Sequence, residues 1–157
     1  KSTVRDVPVA NVGGFIRGAD PALRDEFIVY TAHYDHLGVS TPDERGDSIY
    51  NGFLDAALPV SMVLDVAARY SRHRGTRPLL VMFFNLEEQG LLGSEYYAAN
   101  PIYPLGKTVG ILNTDGAAIY GPARDFSIAG TAKLDLLDML IAEGKRQGHH
   151  TVSLDPH

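Results

Sequence analysis

The sequence predicts an α/β fold in which a mostly parallel mixed β-sheet is flanked by helices. Two observations carry the prediction. Short apolar runs rich in β-branched and aromatic residues alternate with stretches of helical period, as in layered sheets built from β-α-β crossovers. Polar residues able to do chemistry, moreover, follow directly after those apolar runs. In open α/β sheets ligands gather where the strands end. At 157 residues the chain is long enough for one domain, residues 1–157, and no repeat or linker divides it.

The elements follow in order. "NVGGFI" reads as a short edge strand, and the turn-rich "RGADPALRDE" leads to the strand "FIVYTA", Phe27 to Ala32. Gly, Pro, Asp and an Asn51-Gly52 turn signal make Leu37 to Gly52 a long loop. Val60, Val63, Ala67 and Tyr70 recur at helical spacing, which places a helix over Pro59 to Arg72. Pro78 then introduces the strand "LLVMFF", Leu79 to Phe84, and "GLLGSEYYAAN" forms a short helix stopped by Pro101. "KTVGILN" and "RDFSIAG" are further strands, and Leu134, Leu137, Leu140 and Ile141 mark an amphipathic helix ending near Gly144 to Gly148.

Composition narrows the function. A net charge of -5, a pI near 5.6 and scattered Lys and Arg leave no basic stripe for a phosphate backbone, so nucleic acid is not an expected partner. The apolar runs are too short to span a membrane. Without cysteine there is no disulfide, no thiolate nucleophile and no thiolate zinc site, so any metal must be held by His and carboxylates. The start "KSTVRDVPVANV" has neither an initiator Met nor an apolar leader core and reads as a processed or excised end.

His33 and Asp35 follow one strand, Glu87 and Glu88 a second and Asp115 a third, while Asp55 lies where the long loop enters a helix. Each alone has a plain structural explanation: a satisfied core His, a helix-capping Asp, first-turn glutamates favoured by the helix dipole, an Asp-Gly turn. Together at one sheet edge they would repel each other unless a divalent cation neutralised them. Adjacent residues leaving a strand point in different directions, so one of Glu87 and Glu88 can bind a metal while the other reaches the water the metal activates. Asp35 is either the partner of the free ring N–H of His33 or a solvated turn residue. His36 reads as structural, because a helical pairing with His33 does not fit a position directly after a strand.

"AHYDHLG", "GDSIYNGFLD", "NLEEQGLLGSEYYA" and "LNTDG", in that order, resemble the co-catalytic di-zinc aminopeptidases related to bacterial leucyl aminopeptidase and glutamate carboxypeptidase. The resemblance runs from "NVGGF" to "LDPH" and implies a three-layer α/β/α zinc-peptidase fold. It further implies that His33 and Asp115 bind one zinc, Glu88 the other, and Asp55 bridges both. Glu87 would be the general base and Asp35 the outer partner of His33. Peptides would be the substrates, cleaved at their N-terminal residue by metal-activated water, and export to the periplasm or medium would be expected.

The chain departs from the family at "NGFLDAALP", where Phe53, Ala56, Leu58 and Pro59 replace small or polar residues. Pro59 favours a helix starting there rather than at Asp55, which aims Asp55 differently, and Phe53 and Leu58 are expected to crowd the substrate side. The family's later "Ser-Asp-His" zinc ligand lies beyond His157, so the reading is of a domain incomplete at its C-terminus whose second zinc lacks an imidazole. His149, His150 and His157 are the histidines near that end. Two other functions are kept: a non-catalytic binding domain that retains the fold, and a single-zinc acyltransferase like the glutaminyl cyclases. Nothing in the sequence sets an oligomeric state.

Overall fold

The computed structural model describes residues 6–116, 119, 121–128 and 135–153. They fall into two compact units, 1–117 and 118–157. In the first, a four-stranded sheet is built from β1 (Val12–Ile16), β2 (Phe27–His33), β5 (Leu79–Phe84) and β6 (Thr108–Asn113), in the order β1-β5-β2-β6. β2 runs parallel to both β5 and β6, and β1 is antiparallel to β5 at the edge. The sheet is therefore mixed and mostly parallel, as expected. The predicted loop between Leu37 and Gly52 contains a minimal hairpin, β3 (Gly38–Val39) with β4 (Ile49–Tyr50). Its bend is closed by the Asp43 carboxylate, which accepts from the backbone of Arg45 and Asp47 at 2.8 and 3.0 Å. Strands of two residues are too short to leave an alternating pattern in the sequence.

β5 shows why the sheet is covered on both sides. Leu79 and Val81 point to one face and join Val63, Val60, Ala67 and Tyr70 of helix α1 (Leu58–Arg72). Leu80 and Met82 point to the other and join Tyr97 of helix α2 (Leu92–Ala99). The near-continuous apolar run "LLVMFF" is thus the signature of a strand buried on two faces. Each fully buried chain such as Val63 or Leu80 contributes about 1.5–3 kcal/mol. α1 starts at Leu58 with Pro59 in its first turn, where a missing N–H costs nothing, as the sequence led us to expect.

The connections position the site. β2 passes through α1 to β5 on one face, and β5 passes through α2 to β6 on the opposite face, stepping back over β2. At the carboxyl ends of β2 and β5 the chain therefore leaves in opposite directions, and a crevice opens between them.

The second unit pairs β7 (Asp125–Ile128) in parallel with β8 (His150–Ser153), and helix α3 (Leu136–Arg146) connects them. Gly144 of α3 sits so close to Phe126 that a Cβ would lie 2.3 Å from the ring. The helix was expected from Leu134, which is outside the described residues, as are Ala129, Gly130 and His157. β8 was not foreseen. No helix among the described residues is long and apolar enough to cross a membrane.

Candidate metal centre

His33 is the last residue of β2 and is 4% exposed. Its position is fixed by ladder bonds that continue past it: Tyr34 donates its backbone N–H to Phe84 at 3.0 Å, and Thr114 donates to Thr31 at 2.9 Å. The Thr31 hydroxyl also donates to Asn113 at 2.6 Å. These bonds hold the ends of β5 and β6 level with His33, which places Asp115 beside it. The His33 Nε2 atom lies 3.2 Å from Asp115 Oδ1 and 2.8 Å from Asp55 Oδ1.

Asp55 reaches His33 because the chain before α1 is not an ordinary helix start. Phe53–Ala57 form one wide turn, closed by Ala57 donating to the Gly52 carbonyl at 2.9 Å, in which Asp55 and Ala56 leave helical angles. The turn aims the Asp55 carboxylate at the crevice, about half exposed. Phe53, expected to crowd the substrate side, is 63% exposed.

Glu87 and Glu88 follow β5 through Leu86, which has a left-handed backbone (φ 58°) rare for a residue with a side chain. The Asn85 side chain accepts from Leu86 N–H at 2.8 Å and donates to the Tyr34 hydroxyl at 2.7 Å. Asp35 holds the next two residues: its carboxylate accepts from the backbone of Glu87 at 3.1 Å and Glu88 at 3.4 Å. Asp35 also lies on the outer side of His33, where it was expected: its carboxylate is 3.6 Å from the ring Nδ1, and its backbone oxygen is 3.2 Å from the same atom. The same carboxylate thus stands between the imidazole and the glutamate turn.

Glu88 reaches His36, for which the sequence predicts only a structural place. His36 Nδ1 lies 2.7 Å from Glu88 Oε1. The partner of His36 is thus not its near neighbour His33 but a residue 52 positions away. Only the position of His36 just beyond a strand end hinted at it. His149 and His150 belong to the second unit.

Two donor groups result: His33, Asp55 and Asp115, and His36, Asp55 and Glu88, with the donor atoms of each lying within 4.8 Å of one another. Asp55 belongs to both. Zinc with imidazole and carboxylate bonds of about 2.0–2.2 Å needs its donors roughly 3.3 Å apart in a tetrahedron, so each group is of a size to take such an ion with small side-chain adjustments. The donor chemistry, nitrogen and oxygen without sulfur, suits zinc as well.

Glu87 coordinates with neither group and stands beside them. Burial raises its carboxyl above the ordinary value, His33 pulls it back, and the carboxylates of Asp115, Glu88 and Asp55 push it up again. A carboxylate with raised basicity is suited to accept a proton near neutral pH. For His33 burial lowers the pKa, but the charges of Asp115, Glu87 and Asp55 and the hydrogen bond to Asp115 outweigh it, and the net shift is upward.

A cavity of about 380 Å³ opens next to His33, Glu87 and Asp115 and is walled largely by Val29, Phe84, Leu91, Tyr97, Leu105 and Ile111. A larger one of about 580 Å³, near Val9, Met82 and Ile102, has no acid or imidazole in its wall. The smaller cavity is the one joined to chemistry.

A mixed α/β sheet whose strand ends gather imidazoles and carboxylates into two groups sharing one aspartate has the layout of a two-metal centre. The chain belongs to peptidase family M28, which matches it over residues 11–157. Among solved structures it is similar to an Acidobacteriales bacterium glutaminyl cyclase, with a TM-score of 0.59 and 16% identity over 92% of this chain and 58% of that one. It is likewise similar to Legionella LapA, with a TM-score of 0.59 and 18% identity over 91% of this chain and 42% of that one. At these identities the likeness is one of fold, and this chain spans less than two thirds of either structure. No curated protein matches it.

Proposed function

We propose that this chain supplies the catalytic centre of a zinc-dependent aminopeptidase. The observation that carries the reading is the sharing of Asp55 by two donor groups, with Glu87 uncommitted beside them. His33 and Asp115 would hold one zinc, Glu88 the second, and Asp55 both. The ions, when bound, would polarise the scissile carbonyl and make water a nucleophile at neutral pH.

The rest falls to the chain's own groups. Glu87 takes the proton of the attacking water and delivers it to the leaving amine nitrogen. Asp35 keeps Glu87 and Glu88 splayed through their backbone N–H groups. The cavity beside His33 accepts an apolar side chain of the peptide's first residue, burying it against Val29, Phe84 and Ile111.

Membership of family M28 supports a peptide substrate. A glutaminyl cyclase is among the structural neighbours, but the two donor groups sharing Asp55 favour a centre of two ions. The test is zinc content together with hydrolysis of leucine and glutamate chromogenic amides. Chelator-sensitive cleavage, faster on the leucine amide, is expected. Cyclisation of an N-terminal glutamine without amide hydrolysis would replace the aminopeptidase reading by the cyclase one.

A further inference from the structure

We propose that His36 is an imidazole ligand of the second metal subsite, beside Glu88 and the shared Asp55; this rests on the two-metal reading above. Three observations place it there. The Nδ1 atom of His36 is 2.7 Å from Glu88 Oε1, and both lie within 4.8 Å of a carboxylate oxygen of Asp55. Opening the first distance to roughly 3.3 Å, the edge of a tetrahedral zinc site, needs only a small turn of either side chain.

The ring is also held by construction. Gly52, with a left-handed backbone (φ 62°), packs against it so closely that a Cβ would lie 2.9 Å from His36 Cγ and 3.0 Å from its Cβ. The Tyr50 ring meets it edge-on at 6.2 Å on another side. The short hairpin and the wide turn before α1 thus form a cradle around an imidazole. A solvated His would need no such fit.

Third, the two subsites become chemically alike. Each receives one imidazole and one carboxylate of its own, and Asp55 is common to both. The two imidazoles come from one short segment, "HYDH", in which His33 ends β2 and His36 follows it. Asp35, directly before His36, binds the backbone of the glutamate turn and so sets Glu88 opposite His36.

The alternative is that His36 only orients Glu88 by hydrogen bonding, and the two roles separate in magnitude and in spectrum. Zinc binding to the full chain is measured by titration calorimetry with competing chelator. The wild type is expected to take up two zincs. His36→Asn should keep the first and lose more than about 100-fold in affinity for the second, above the 10- to 100-fold that an orienting partner contributes. The retained first zinc shows that the variant is folded.

In the protein loaded with two cobalt(II) ions, hyperfine-shifted exchangeable ring N–H signals should come from two histidines, and one should vanish in His36→Asn. Two zincs bound by the variant with wild-type affinity would overturn the role of His36 and leave the peptidase reading intact. So would a weakened second site with no histidine signal lost. A wild-type chain that binds no zinc would remove the two-metal reading itself.

Discussion

At the scale of single residues, the two adjacent glutamates are separated by what surrounds them. Glu88 faces His36 and Asp55, while Glu87 faces the cavity with His33 and Asp115 and is raised in basicity by burial and by its neighbouring carboxylates. Removing a proton acceptor differs from removing a ligand. Glu87→Ala is expected to lower turnover about 10²- to 10⁴-fold and to leave the zinc content unchanged, as read by steady-state kinetics and elemental analysis on one sample. Simultaneous loss of zinc would show that the two glutamates have the opposite roles. Asp55→Ala should behave otherwise: because its carboxylate belongs to both donor groups, both zincs should go together. A variant that kept two zincs would end the bridging assignment.

At the scale of elements, the site depends on how closely α2 approaches the end of β5. Gly93, in the first turn of α2, is buried against that end: a Cβ there would lie 2.1 Å from the Asn85 carbonyl oxygen and 2.6 Å from Asn11 Oδ1. Asn11 binds both partners, donating to the Gly93 carbonyl at 2.8 Å and accepting from Asn85 N–H at 3.1 Å. Gly93→Ala therefore forces α2 away from the glutamate turn. Overpacking of this kind costs about 1–3 kcal/mol, and urea unfolding should show it as a lower midpoint at unchanged slope. An unchanged midpoint would mean that α2 docks more loosely than described. The elements legible in the sequence were those whose side chains declare their surroundings, such as the doubly buried β5 and the face of α1 set by Val63 and Ala67. The hairpin of β3 and β4 was not legible, since it is held by Asp43 and backbone bonds rather than by an apolar face. His36 escaped notice for a related reason, its role being set by the turn at Gly52 and by a partner far along the chain.

At the scale of the molecule, the donors come from the ends of three strands and the turn before α1, so a bound ion ties together segments up to 82 residues apart in sequence. Before binding, the carboxylates of Asp55, Asp115, Glu87 and Glu88 repel each other around a partly exposed crevice, and cations reverse that sign. The convergence was legible in advance because strands ending in polar residues share one edge of a parallel sheet. The direction of each side chain was not, because it depends on turns such as Phe53–Ala57 that no periodicity encodes. Metal should accordingly stabilise the fold as well as serve the chemistry. An ion at 100 times its Kd that binds only the folded state adds about 2.7 kcal/mol. For a chain of this length that raises Tm by about 5–10 °C. Scanning calorimetry should show such an increase on adding zinc to chelator-treated protein, its reversal by chelator and its absence in Asp55→Ala. A wild-type Tm indifferent to zinc at saturating concentration would mean that these strand ends do not meet around an ion.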